Sequence, residues 1–182
     1  DAGDRGLVFE WPGTDGSMPP VILTAHYDTV PPGPVEDWDH DPFGGELADG
    51  YIWGRGTQDV KVMVAASLAA AERLLAAGFV PRRTLYFAFG GDEETGGLRG
   101  AATIAAVLKE RGVHASFILD EGGFVSSGLL PYADRPVAMV GVAEKGYVDV
   151  ILNADGPGGN ASTPPRHTAA GLVARAVAAS ES

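Results

Sequence analysis

Three short and almost unbroken apolar runs constrain this chain most. They are "VILTAHY" (21–27), "TLYFAFG" (84–90) and "ASFILD" (115–120), rich in branched and aromatic residues. A strand covered on one face alternates apolar with polar residues, whereas a strand covered on both faces reads as a continuous run. Between the runs lie helical patterns. "DVKVMVAASLAAAERLLAAG" (59–78) begins at Asp59 and ends at Gly78, and "GLRGAATIAAVLKERG" (97–112) stops at Gly112, the expected capping asymmetry. Alternating strands and helices predict an α/β fold: a mostly parallel, mixed sheet sandwiched by helices. "GLVFEW" (6–11) supplies a further strand, and Asp49-Gly50 marks a hairpin inside the turn-rich stretch 31–58.

The texture changes around residues 134–140. "VGVAEKGYVDVILNADG" (140–156) alternates like a half-exposed strand or strand pair, and a helix is expected over "AAGLVARAVAA" (169–179). The reading is therefore one domain over 1–137 and the beginning of a second, α+β domain over 138–182. Those last residues are too few to bury a core of their own.

Charge narrows the function. A net charge of −11 leaves no basic face for nucleic acid or an anionic membrane. No apolar stretch reaches the roughly 20 residues that span a bilayer. No signal-like segment opens the chain, so a cytoplasmic location is expected, although Asp1 in place of Met suggests a missing start. The chain has no cysteine, so any metal would rest on His, Asp and Glu.

Those residue types gather where the apolar runs end. The first run closes on His26 and Asp28, the second enters "GGDEETGG" with Glu93 and Glu94, and the third closes on Asp120 and Glu121. In a parallel sheet these tips share one edge, beyond the carboxyl ends of the strands, where ligands bind. Asp59 can reach the same edge from the start of its helix. Clustered carboxylates raise one another's pKa, and a divalent cation removes the conflict. Imidazole and carboxylate donors suit zinc, manganese or cobalt. His26 and Asp28 share a strand face, so Asp28 can fix the imidazole tautomer that offers a lone pair to metal.

Taken together, "HYDTVP", "WDHDPF", "DGYIWGRGTQDVK", "GGDEETGG" and "ILDEGG" resemble the M20 family of co-catalytic metallopeptidases in order and spacing. The nearest likeness is to its carboxypeptidase S and Gly-Xaa carboxypeptidase branch, over roughly residues 21–172. The resemblance implies a zinc-dependent exopeptidase fold with a lid domain, and two Zn2+ ions, with Co2+ or Mn2+ as alternatives. By the same resemblance His26, Asp59, Glu94 and Asp120 are metal ligands, Asp59 bridging the two ions. Asp28 orients His26, and Glu93 is the general base that takes a proton from the attacking water. The implied substrate is a small peptide or an N-acyl amino acid, cut at the amide next to its free carboxylate. The implied partner is a second copy, joined through the lid.

Two departures from the family pattern stand out. In the motif G-G-H-S-S-x-P-P the family places a substrate-binding His, and here "GGNASTPP" puts Asn160 there. The family's remaining ligand, a late His, has no counterpart before Ser182, so the chain reads as truncated. The alternatives are a small-molecule amidohydrolase or deacetylase of the same family, or a metal-binding interaction domain without turnover.

Overall fold

A computed structural model describes residues 1–143 and 145–180 of the chain. In order, the elements are β1 (Gly6–Trp11), β2 (Val21–His26), β3 (Leu47–Ala48), β4 (Tyr51–Ile52) and α1 (Val62–Ala76). There follow β5 (Leu85–Gly90), α2 (Ala101–Glu110), β6 (Phe117–Leu119), β7 (Val125–Ser126), β8 (Val137–Ala138) and α3 (Ala169–Ser180). The main sheet has the order β1-β5-β2-β6. β2 runs parallel to both β5 and β6, while β1 joins β5 antiparallel. The three apolar runs are thus the parallel strands, as expected.

Two-residue periodicity builds the layers. On β5, Tyr86 and Ala88 face one side, where Ile22 and the α2 residues Ile104 and Leu108 meet them. Phe87 and Phe89 face the other side, against Ala25, Val60 and the α1 residues Met63 and Val64. Every residue from Tyr86 to Gly90 is buried, which is why this segment carries no polar alternation. Burying each large apolar side chain here contributes about 1.5–3 kcal/mol.

Three sequence expectations shift. The helical pattern puts Asp59 at the start of a helix, but α1 starts at Val62. Asp59 lies instead in an irregular turn, Thr57–Lys61, with φ −114° and ψ 96°. The cause is Val60, whose side chain is drawn into the Phe87–Phe89 cluster and takes a non-helical backbone to reach it. β6 was expected to be covered on both faces. It ends the sheet, paired only with β2 among the described residues, and Phe117, Ile118 and Leu119 stay half-exposed. The alternating stretch 140–156 forms no strand among its described residues. A strand needs a ladder partner for its backbone groups, and none pairs with it among the described residues, so Val142, Val148 and Ile151 remain exposed. The hairpin does form: β3 and β4 pair antiparallel around Asp49 and Gly50, both at positive φ.

The chain divides into two compact units, Asp1–Met139 and Val140–Ser182. The first holds the main sheet, α1 and α2; the second holds α3. Among the described residues no helix is long and apolar enough to cross a membrane.

Candidate metal centre

Parallel strands carry their polar tips to one edge of the sheet. His26, the last residue of β2, pairs in register with Gly90, the last of β5, and Leu119 of β6 aligns with Leu23. The segments leaving β5 and β6 therefore emerge around the His26 ring. Gly91 lets the chain turn there, since any Cβ at this position would collide with the Tyr27 ring.

His26 is 3% exposed, and acceptors meet both of its nitrogens. Nδ1 lies 3.1 Å from the Asp28 carbonyl oxygen and 3.3 Å from Asp28 Oδ1. Nε2 lies 3.1 Å from Asp59 Oδ1, 3.4 Å from Glu121 Oε1 and 3.8 Å from Glu93 Oε2. Asp28 also braces the acidic loop. Its Oδ1 accepts the Glu93 amide at 3.1 Å and its Oδ2 accepts the Glu94 amide at 3.2 Å. One carboxylate thus ties the loop after β5 to the histidine of β2.

The structure brings His26, Asp28, Asp59 and Glu93 together, as the sequence suggested. It places the other residues differently. The Glu94 backbone is held by Asp28, but its Oε1 accepts the Val30 amide at 3.3 Å. Asp120 is exposed, and its Oδ1 accepts the amide of Glu121 at 2.9 Å. Glu121 is the acid that faces His26. Adjacent residues leaving a strand point in opposite directions, so a Asp-Glu pair does not reveal which member turns inward. The available signal was the pair itself. Asn160 lies in the second unit, where its Oδ1 accepts the Ser162 amide at 3.0 Å. It lines a cleft of about 230 Å³ with Pro157, His167 and Thr168. The remaining histidines stand outside the cluster. His40 stacks on Trp53 at 4.2 Å and pairs with Glu46, while His114 is exposed.

The surroundings of two of these groups favour their protonated forms. Burial pushes the His26 pKa down, but Glu121, the Asp59 and Asp28 hydrogen bonds and Glu93 outweigh it, and the net shift is upward. Burial raises the pKa of Glu121, and repulsion from Asp59, Asp120 and Glu93 adds to it, against the attraction of His26. Both folded pKa values lie above the unfolded ones, so both groups favour the folded chain at low pH. Their contribution is complete below the ordinary values, 4.5 for Glu121 and 6.5 for His26, and is lost as pH rises through the folded values. The thermal midpoint of the chelator-treated protein should therefore decline as pH rises above the ordinary values of 4.5 and 6.5. Zinc requires deprotonated ligands, so its addition should raise the midpoint most at the alkaline end. A midpoint that is flat or rising without metal contradicts this account.

The donor set fits a divalent cation. His26, Asp59 and Glu121 each offer one ligand atom, and these atoms lie within 4.8 Å of one another. One imidazole and carboxylate oxygens, with no thiolate, suit zinc, manganese or cobalt.

A mixed α/β sheet with an acid-and-imidazole cluster at its carboxyl edge has a possible metal-binding group where ligands bind in open α/β folds. The chain belongs to peptidase family M20/M25/M40, whose model matches residues 22–181. It is 45% identical over 175 residues to the N-fatty-acyl-amino acid synthase/hydrolase PM20D1 of Bos taurus, covering 96% of this chain and 35% of that protein. It is 37% identical to carboxypeptidase S of Saccharomyces cerevisiae, covering 96% of this chain and 31% of that one. An M20 family metallo-carboxypeptidase from Sulfolobus solfataricus shares the fold, with a TM-score of 0.54 at 22% identity over 64% of this chain and 26% of that chain. The chain spans about a third of the length of the curated relatives it matches.

Proposed function

We propose that this chain carries the metal-binding core of a dinuclear zinc hydrolase that cleaves an amide next to a free carboxylate. The carrying observation is the His26 ring, buried and met on both nitrogens by acceptors from separate segments at one sheet edge. The relatives reported above support the substrate class. Carboxypeptidases and N-acyl-amino acid hydrolases both act at an amide whose neighbour is a carboxylate-bearing carbon.

In this reading His26, Asp59 and Glu121 would hold a cation where their donor atoms converge, and the family resemblance adds Glu94 and Asp120 as ligands. Bound zinc would polarise the scissile carbonyl and lower the pKa of water. The chain's own residues do the rest. Asp28 accepts the Nδ1 proton of His26 and so keeps Nε2 turned to the cluster. Glu93, 54% exposed in its side chain and 3.8 Å from Nε2, takes a proton from the attacking water and returns it to the leaving amine. Asn160 stands where the family pattern has a substrate-binding His, and a side-chain amide there would donate an N–H to a substrate oxygen. Asn donates without carrying charge, so its contribution does not vary with pH.

Titrating the metal-free protein with Zn2+ by calorimetry, then assaying N-acyl amino acids, dipeptides and the same compounds with amidated carboxyl ends, tests the proposal. Zinc binding is expected, with hydrolysis confined to substrates with a free carboxylate. Equal hydrolysis of the amidated compounds, or no zinc binding, would rule it out.

A further inference from the structure

Asp92 opens the acidic loop after β5, yet its carboxylate serves amides of that loop rather than His26. It is 6% exposed, and both oxygens are engaged. Oδ2 accepts the Arg99 amide at 2.8 Å and Oδ1 accepts the Gly100 amide at 2.7 Å. Its main-chain oxygen accepts the amides of Thr95 at 3.2 Å and Gly97 at 2.8 Å. One residue therefore closes the near turn and the far end of the segment that leads into α2. Gly100 has to be a glycine for this, because a Cβ there would come within 2.5 Å of Asp92 Oδ1.

Residues 93 and 94 form the bend that this closure leaves. Their amides point at Asp28, whose carboxylate also sits 3.3 Å from His26 Nδ1. We propose that Asp92 is a positioning residue: it holds the loop so that Glu93 and Glu94 are presented to Asp28, and through it to a cation held with His26. This rests on the metal-site reading above. The plainer role for a buried carboxylate with these partners is to cap the start of α2, where free amides await acceptors. The two roles differ in what they move. A cap sets the stability of α2 alone, whereas a positioning residue also sets the order of Glu93 and Glu94 and the affinity of the site.

Asp92→Asn keeps the size but turns one acceptor into a donor facing an amide. Asp92→Ser shortens the side chain, and it serves if the first variant folds poorly. Amide hydrogen exchange in the metal-free chain and calorimetric Zn2+ titration are the measurements. Expected are faster exchange at Glu93 and Glu94 and a zinc affinity lower by about 10- to 100-fold. Exchange over the α2 residues Ile104–Glu110 should hold. Faster exchange at Arg99 and Gly100 alone, with a lower melting midpoint but unchanged zinc affinity and unchanged Glu93 and Glu94 amides, would overturn the proposal in favour of a cap. If the unaltered protein takes up no zinc while the Glu93 and Glu94 amides still respond, positioning stands and the metal reading fails.

Discussion

Glu93→Gln is expected to leave zinc bound and to lower kcat by about 10²- to 10⁴-fold, the range associated with losing a positioned general base. The substitution is nearly isosteric, and an amide cannot accept the proton that a carboxylate accepts. Nothing that holds the loop is lost, because Glu93 engages Asp28 through its backbone N–H and not its side chain. The candidate metal-binding group keeps its members as well. The ligand atoms that lie within 4.8 Å of one another come from His26, Asp59 and Glu121, and the Glu93 carboxylate stands 3.8 Å from Nε2 beside them. KM should therefore change little, and calorimetry should return the same zinc stoichiometry as for the unaltered protein. Zinc lost together with activity would make Glu93 a ligand instead of a base. Unaltered turnover would remove it from the chemistry.

Much of this arrangement was legible in the sequence because it depends on short-range rules. Uninterrupted apolar runs at 21–27, 84–90 and 115–120 imply strands that lie side by side in parallel, and parallel strands place His26 and the 93–94 loop at one edge. The spacing of His26 and Asp28 gave their partnership directly. What was not legible depends on packing between segments distant in the chain. Asp59 has the sequence context of a helix cap, but it sits on a non-helical turn beside Val60, which is buried against Phe87 and Phe89. Glu121 instead of Asp120 faces His26 because of how the chain leaves β6, which no periodicity records. The apolar alternation of 140–156 was a sound strand signal, but pairing requires a second strand, and sequence pattern says nothing of whether one is present. Asp92 resembles its acidic neighbours in sequence and is separated from them only by its bonds to Arg99 and Gly100.

Phe89→Ala should destabilise the fold by about 3–5 kcal/mol, the range for emptying a buried aromatic site. Domains of this size are stable by only about 5–15 kcal/mol, so the variant would lose much of its margin. Phe89 is 2% exposed on β5, one of the two inner strands of the sheet, and its ring sits 6.3 Å from that of Phe9. It also shares a cluster with Ala25, Val60 and Phe87. Those neighbours belong to β2, to the turn that holds Asp59 and to β5, so the cavity would open beneath the very segments that deliver His26 and Asp59. Urea unfolding should show a lower midpoint at unchanged slope. Phe43→Ala is the control: Phe43 is 70% exposed, and its loss should cost no more than about 0.5 kcal/mol. If the two variants unfold alike, the layering described here is wrong. Zinc adds a second test of the link between core and site. A ligand that binds only the folded chain stabilises it by about 2.7 kcal/mol at a free concentration 100 times its Kd. Saturating zinc should therefore recover part of the stability that Phe89→Ala removes, and should recover none of it when His26 is also replaced by alanine.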